Sequence, residues 1–256
     1  VPADELACAS GLESRFGTGV MQALGGDDPF IRGVWAALCE LAVHVATRGW
    51  PDVRAGEAAD WLTPVPHAPI MFGLAGNCPQ TWRGKGVPFP RYPVGYTRPP
   101  SALSPHGARI RVPAEVGTLR CAAELGVVIG RRAENVSAAE AGGYIAGYTC
   151  VNDMISNHWK AFATERNPAQ DPGFLELLVT SYYGRGTDGF GPVGPGIVPA
   201  EFVPDPYNLI MRTYIDGEQR DRSYTNCMLV GIDDAIAYLS GLVPLEVGSI
   251  IHMGTL

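Results

Sequence analysis

A chain of 256 residues, 46% of them hydrophobic and 18% charged, has the composition of a globular protein with one large domain, with or without a smaller companion. Its net charge of −7, with no run of more than two adjacent Lys or Arg residues, argues against a nucleic-acid partner, which needs a basic stripe. Its apolar stretches are too short and too interrupted to predict a membrane span. The 6 cysteines are widely spaced and predict a cytoplasmic protein without a disulfide framework.

The first 66 residues are predicted to form a helical N-terminal region. Residues 5–24 carry apolar side chains at helical spacing and end at two glycines. Asp27, Asp28 and Pro29 then provide the cap and the first-turn proline of a new helix, and residues 30–48 repeat the apolar stripe. We therefore expect a separate helical region ahead of residues 67–256.

Residues 67–256 predict an α+β fold that is mainly β. Apolar or alternating segments predict strands at residues 70–74, 109–112, 123–130, 145–151, 209–215 and 249–253. Asp216 and Gly217 form a hairpin-turn signal. Residues 233–242 predict a helix, and Ser137 with Glu140 predicts a short helix with a capping box. Residues 75–109 read as one long loop, which inside a compact domain is usually functional or mobile.

Two carboxylates are the first candidates for chemistry. Glu124 lies inside an apolar strand, where a carboxylate is costly unless it is paired, hydrogen-bonded or bound to a cation. Asp153 follows the next predicted strand. The two acids could share a hard cation such as Mg²⁺ or Ca²⁺. Pairing of Glu124 with one of the arginines is an equally good interpretation.

Close to Asp153 in sequence lie His158 and Lys160. A histidine beside a carboxylate can act as a general base or as a metal ligand. A loop histidine on a solvated surface is the simpler interpretation. The remaining histidines have no acidic neighbour at ligand spacing: His44, His67, His106 and His252.

A series of segments follows the order seen in one known family. They are residues 71–77 (MFGLAGN), 98–103 (RPPSAL), 124–130 (ELGVVIG), 147–153 (GYTCVND), 191–195 (GPVGP) and 245–255 (LEVGSIIHMGT). Together they resemble the fumarylacetoacetate hydrolase superfamily over residues 68–256. The resemblance implies that family's folded β-sheet roll or barrel and a homodimer.

In that family a Glu-x-Glu pair and an Asp hold a divalent cation, which stabilises the enolate of a 2-oxo acid or 1,3-dicarbonyl substrate, and a His–Glu dyad on a loop activates water. The resemblance assigns metal binding to Glu124 and Asp153, but Ala122 stands where the first Glu is expected. Thr81 or Trp82 falls on the dyad histidine. Mg²⁺, or Ca²⁺ or Mn²⁺, is therefore expected to bind more weakly, and a metal-free site is the alternative.

Further residues are carried over to the substrate site. Asn157 and Lys160 stand where an Arg and a Gln contact substrate, and Arg185 takes the place of a substrate-facing Lys. The substrate-binding candidates are Asn157, Thr225, Thr255 and Arg98. The catalytic candidates are Lys160, Arg185 and His158.

The resemblance implies an enzyme for an enolisable 2-oxo acid or 1,3-dicarbonyl substrate, in a biosynthetic or aromatic-catabolic pathway. Isomerisation, decarboxylation or dehydration should survive loss of the loop dyad better than C–C bond hydrolysis. The alternatives are a non-catalytic scaffold or ligand-binding partner and a metal-independent lyase or cyclase.

Overall fold

The computed structural model describes residues 62–83, 85–86, 88–112, 118–156 and 183–256. All of them belong to one compact unit that runs from Trp61 to Leu256. The predicted helices between residues 1 and 61 lie outside the described residues, so the helical N-terminal region and its boundary at residue 66 stay predictions.

Within the described ranges the chain forms short strands and few helices. The strands are β1 (Met71–Leu74), β2 (Gly95–Arg98), β3 (Leu103–Pro105), β4 (Leu119–Arg120), β5 (Ala123–Ile129), β6 (Ile145–Asn152), β7 (Ile155–Ser156), β8 (Gly191–Pro199), β9 (Ile210–Ile215), β10 (Glu218–Tyr224) and β11 (Ile250–His252). The α-helices are α1 (Pro79–Trp82), α2 (Gly184–Gly186) and α3 (Ile232–Leu242). Single 3₁₀ turns occupy Pro100–Ala102, Ala141–Tyr144, Ala200–Phe202 and Thr225–Cys227. None of the described helices is long and apolar enough to cross a membrane.

Seven strands form one mixed sheet in the order β2-β1-β11-β5-β6-β8-β3. The pairs β1–β11 and β3–β8 are parallel, and the other four pairs are antiparallel. The remaining strands pair as two small ribbons, β9–β10 and β4–β7. The mainly β fold predicted from the sequence is confirmed.

Most predicted elements are present. The predicted strands 70–74, 123–130, 145–151 and 249–253 correspond to β1, β5, β6 and β11, and the predicted helix corresponds to α3. The hairpin of β9 and β10 turns at Asp216 and Gly217, whose φ angles of 53° and 79° are the left-handed values that this tight turn requires.

Three local predictions are wrong. Residues 109–112 form no strand, because Arg109, Arg111 and Val112 are exposed and the segment buries too little to pair with a neighbour. Ser137 and Glu140 interact as expected, at 2.5 Å between Oγ and Oε2, but they close a turn instead of starting an α-helix. Residues 75–109 contain α1, β2 and β3, so they are not one loop.

The sheet is buried on both faces. Ile232, Ile236 and Leu239 of α3 pack in one cluster with Val127 and Ile251. A second cluster contains Ala68, Met71, Val151, Val193 and Ile250. Successive residues of a strand point to opposite faces, so Ile250 and Ile251 enter different clusters. This packing fixes the register in which polar side chains of β2, β5 and β11 meet.

Candidate active site

Glu124 is a buried carboxylate on β5 with two side-chain partners. It is only 3% exposed. Thr255 donates a hydrogen bond from Oγ1 to Glu124 Oε1 at 2.9 Å, and His252 Nδ1 makes a short contact with Glu124 Oε2. Among the described residues the basic side chain within 4.0 Å of Glu124 is this histidine, so the interpretation in which Glu124 pairs with an arginine is wrong there.

His252 was not expected at the site, because no acid lies at ligand spacing from it in the sequence. The sheet provides the contact. His252 is opposite Gly126 of β5, and Glu124 lies two residues along the same strand and therefore on the same face. On its other side His252 is opposite Gly73 of β1. The imidazole lies in a slot over Gly73, where the absence of a side chain leaves room for the ring.

Gly73→Ala is expected to displace this imidazole. A Cβ at position 73 would lie 2.3 Å from His252 Cε1 and 2.6 Å from Tyr96 Cζ, both in side chains packed inside the sheet. We expect a loss of about 1–3 kcal/mol in the free energy of unfolding, the usual cost of overpacking, measured by urea denaturation. Gly142→Ala is the control, because a Cβ there meets no atom within 4 Å. Equal stability of the two variants would contradict the slot.

Asp153 is the second buried carboxylate, and the side chains of two arginines contact it. The Arg98 guanidinium contacts Asp153 Oδ1 through Nη2, and Arg185 Nε donates to Oδ1 and Oδ2 at 3.2 and 3.1 Å. The Tyr96 hydroxyl also donates to Oδ1, at 2.9 Å. Tyr96 and Arg98 are the two buried residues of β2 and lie on one face, which explains why both reach Asp153.

The protonation states of these groups follow from their neighbours. Burial opposes ionisation of Asp153, but Arg185 and Arg98 outweigh it and lower its pKa below the ordinary value. Burial raises the pKa of Tyr96 well above its usual range, and Glu124 and Asp153 add to that effect. Burial would lower the pKa of Arg185, yet Tyr96 and Asp153 raise it overall. The site therefore holds an ionised Asp153, a neutral Tyr96 and a charged Arg185.

The two carboxylates converge. Glu124, Asp153 and His252 each offer one ligand atom, and these atoms lie within 4.8 Å of one another. A divalent ion with ligands at about 2.0–2.2 Å holds opposite ligand atoms about 4.4 Å apart, so one ion could reach all three after a small adjustment. Asp153 Oδ2 accepts one hydrogen bond from Arg185 and, like any carboxylate oxygen, has a second lone pair.

These residues fit a divalent cation, although the protein contributes little net negative charge. Arg98 and Arg185 balance the charges of Glu124 and Asp153, and Ala122 supplies only its backbone oxygen, which accepts from Asp153 N at 2.8 Å. An ion would therefore be held less tightly than by three carboxylates. The prediction that Glu124 and Asp153 bind metal remains a proposal.

The other predicted site residues are distributed unevenly. Thr255 and Arg185 lie at the cluster, and Arg98 lies behind it with no side-chain exposure. Thr225 is fully buried, and its hydroxyl accepts from Leu209 N at 2.8 Å, so it stabilises the backbone there. Asn157, His158 and Lys160 lie outside the described residues, so their predicted roles stay predictions.

Sequence reasoning missed two members of the cluster, Tyr96 and His252. Tyr96 lies two residues before Arg98 on β2, in a segment that was read as a loop. His252 breaks an apolar strand, Ile250–His252, and that polar interruption was the available signal.

On its loop, Trp82 lies where the family's dyad histidine is expected. Its indole Nε1 donates to Gly76 O at 2.6 Å. This contact holds the indole against the start of the same loop, and an indole N–H has no basic lone pair with which to activate water.

Comparison with known proteins identifies relatives over the described unit. Residues 72–256 match the family model described as fumarylacetoacetate (FAA) hydrolase, C-terminal. A Burkholderia cenocepacia protein that bears only the general name of a hydrolase is 32% identical over 191 residues, which are 75% of this chain and 63% of that protein. The chain thus spans less than two thirds of the length of such curated relatives.

Two solved structures are similar. The 5-carboxymethyl-2-hydroxymuconate delta-isomerase from Mycobacterium smegmatis has 28% identity and a TM-score of 0.61, over 77% of this chain and 70% of its own. The maleylpyruvate hydrolase from Sphingobium sp. SYK-6, in complex with manganese(II) and pyruvate, has 25% identity and a TM-score of 0.59, over 75% of this chain and 62% of its own.

Proposed function

The chain belongs to the fumarylacetoacetate hydrolase superfamily, and from that premise we propose that it is an enzyme acting on an enolisable 2-oxo acid or 1,3-dicarbonyl compound. The observation that carries the proposal is the convergence of Glu124, Asp153 and Arg185 in one buried cluster. A protein used only as a scaffold gains nothing from burying two acids. Removing each carboxylate from water costs roughly several kcal/mol before its partners compensate.

Each residue of the cluster has a role in this proposal. Arg185 presents a positive charge to the substrate carboxylate or to the oxygen on which enolate charge develops, while its Nε stays on Asp153. Tyr96 holds Asp153 in place, and Thr255 does the same for Glu124. A divalent cation held by Glu124 and Asp153 would supply Lewis-acid polarisation of the carbonyl.

Proton-transfer chemistry suits the cluster better than hydrolysis. The family's water-activating loop dyad is absent from residues 81 and 82, and Trp82 is held by Gly76. Loss of a general base costs about 10²- to 10⁴-fold in the step that it serves. Decarboxylation of a 2-oxo acid needs stabilisation of an enolate but no activated water. Isomerisation also needs a base that takes the proton from carbon, and we assign that role to the predicted catalytic residues His158 or Lys160. An isomerase and a 2-oxo-acid hydrolase among the similar structures support this substrate class.

Exchange of substrate protons tests the proposal directly. The protein is incubated in D₂O with pyruvate or oxaloacetate and Mg²⁺ or Mn²⁺, and deuterium uptake at the carbon next to the carbonyl is followed by NMR. Enolisation at the site should give uptake above the metal-only rate, and oxalate, an enolate mimic, should inhibit it. Absence of uptake across a panel of 2-oxo acids and 1,3-dicarbonyls would overturn the proposal in favour of a non-catalytic relative.

Asp153→Asn is expected to abolish oxalate-dependent metal binding. The change keeps the shape of the side chain but removes the charge that faces the proposed ion, and even residues that only support metal ligands are worth about 10- to 100-fold in affinity. Calorimetric titration with Mg²⁺, Mn²⁺ and Ca²⁺, with and without oxalate, measures it. Asp234→Asn at the exposed start of α3 is the control. Unchanged binding by Asp153→Asn would place the ion elsewhere.

A further inference from the structure

We propose that His252 is a third protein ligand, reaching the site from the Gly126 side of Glu124, so that Glu124, Asp153 and His252 form a centre of two carboxylates and one imidazole that favours first-row transition ions over Mg²⁺. The proposal rests on the proposed function only in locating the metal site, and it adds a ligand and a metal preference.

The first support is placement. The register of β11 against β5 puts the imidazole on the same sheet face as Glu124, with Nδ1 in contact with that carboxylate. Ligand atoms of all three residues lie within 4.8 Å of one another, so one ion could reach them after a small adjustment. Position 122 offers no side-chain ligand, since alanine has only a methyl group.

The second support is a buried polar atom without a hydrogen-bond partner among the described residues. His252 is fully buried, and its Nε2 atom has no hydrogen-bond partner in the part of the chain that the structure describes. An unpaired buried polar atom costs about 1–3 kcal/mol. A leucine or a phenylalanine in the slot would avoid that cost if His252 served packing alone. Coordination of the ion through Nε2, with Nδ1 remaining in contact with Glu124, would give this atom a partner and gives a reason for an imidazole at this position.

The metal preference follows from the donor set. Carboxylate and water ligands suit Mg²⁺, Ca²⁺ and Mn²⁺, whereas imidazole suits later first-row ions such as Fe²⁺, Ni²⁺ and Zn²⁺. A neutral histidine in place of a third carboxylate also removes negative charge, and Arg98 and Arg185 already balance Glu124 and Asp153. Mg²⁺ and Ca²⁺ depend most on that charge, so they lose more affinity than the ions that imidazole suits.

Spectroscopy of the full chain tests the ligand without any variant. Mn²⁺ is bound in the presence of oxalate, and pulsed electron paramagnetic resonance is used to detect coupling to imidazole ¹⁴N. Coupling supports the proposal when it disappears in His252→Phe, whose ring can fill the same slot, and persists in the exposed-surface control His67→Phe. Bound Mn²⁺ without ¹⁴N coupling, or with coupling that survives His252→Phe, overturns it.

Calorimetric titration is a second, independent test, and it keeps the proposal testable if His252→Phe folds poorly. Wild type should bind Zn²⁺ with oxalate more tightly than Mg²⁺, because imidazole suits Zn²⁺. His252→Glu exchanges the imidazole for a third carboxylate and should lower the ratio of the two affinities about tenfold or more, since even contacts that only support metal ligands are worth about 10- to 100-fold. A ratio that is unchanged in His252→Glu, or no binding of either ion by wild type, overturns the inference. Failure of the proposed function would appear separately, as absence of deuterium uptake.

Discussion

Arg98→Met is expected to lower the free energy of unfolding by about 3–5 kcal/mol, the cost of leaving one partner of a buried ion pair uncompensated. The Arg98 side chain has no exposure, and Asp153 is almost as buried. The guanidinium also donates to Phe190 O and Met154 O, both at 3.2 Å, and to Arg185 O. Methionine fills much of the same volume, but it cannot donate the hydrogen bonds that Asp153 and these carbonyl oxygens accept from Arg98. Urea denaturation followed by circular dichroism measures the loss.

Arg132→Met is the matched control. Arg132 contacts Glu134 and Glu246 at 2.6 and 2.8 Å, but its side chain is 49% exposed. Pairs of that kind contribute about 0–1 kcal/mol. Arg98→Lys should fall between the two arginine-to-methionine variants, because one ammonium keeps the charge but cannot reach all the acceptors of a planar guanidinium. An Arg98→Met variant as stable as Arg132→Met would mean that Asp153 is neutralised without Arg98.

The strands that were predicted correctly are those in which local pattern and burial agree. Residues 123–130 and 145–151 are rich in β-branched or apolar residues and form the central pair of the sheet. Asp216 and Gly217 specify their turn through backbone conformation alone. Residues 109–112 alternate equally well, but alternation cannot reveal that no neighbouring strand pairs with them.

The sequence predicts only those residues of the site whose immediate neighbours in the chain make them stand out. Glu124 stands out because a carboxylate interrupts an apolar strand, and Asp153 because it follows one. The contact between Glu124 and His252 spans 128 residues and depends on the register of β11 against β5. A one-residue slip in that register would turn His252 to the opposite face. Sequence spacing contains no such information, so the histidine was overlooked.

The same limit applies to the charges around Asp153. Arg98 and Arg185 are 87 residues apart, and they meet because both side chains reach Asp153, the residue that follows β6. The resemblance to a known family suggested that both face a substrate. The geometry separates them, since Arg98 is enclosed whereas Arg185 keeps 16% exposure. Arg98 therefore supports the cluster, and Arg185 is the one of these two arginines that a substrate can reach.

Arg185→Gln is accordingly expected to slow deuterium uptake by a 2-oxo acid by about 10²- to 10³-fold, the usual effect of removing one donor that stabilises developing negative charge. The guanidinium is held by Asp153 through Nε and stacks on Tyr96, with Cζ 4.1 Å from the ring centre, so it is preorganised before substrate binds. A preorganised cation needs no rearrangement when the enolate forms. The loss should therefore appear mainly in kcat, with a smaller change in KM.

The control for Arg185 is another arginine stacked on a tyrosine. Arg131 Cζ lies 3.9 Å from the ring centre of Tyr144, and Arg131 is exposed outside the cluster. Arg131→Gln should leave the uptake rate unchanged. Arg185→Lys should keep much of the wild-type rate, because an ammonium keeps the positive charge although it loses the forked donor geometry of the guanidinium. A folded Arg185→Gln variant that exchanges at the wild-type rate would exclude Arg185 from the reaction. The enolate charge would then have to be stabilised by the ion at Glu124 and Asp153 alone.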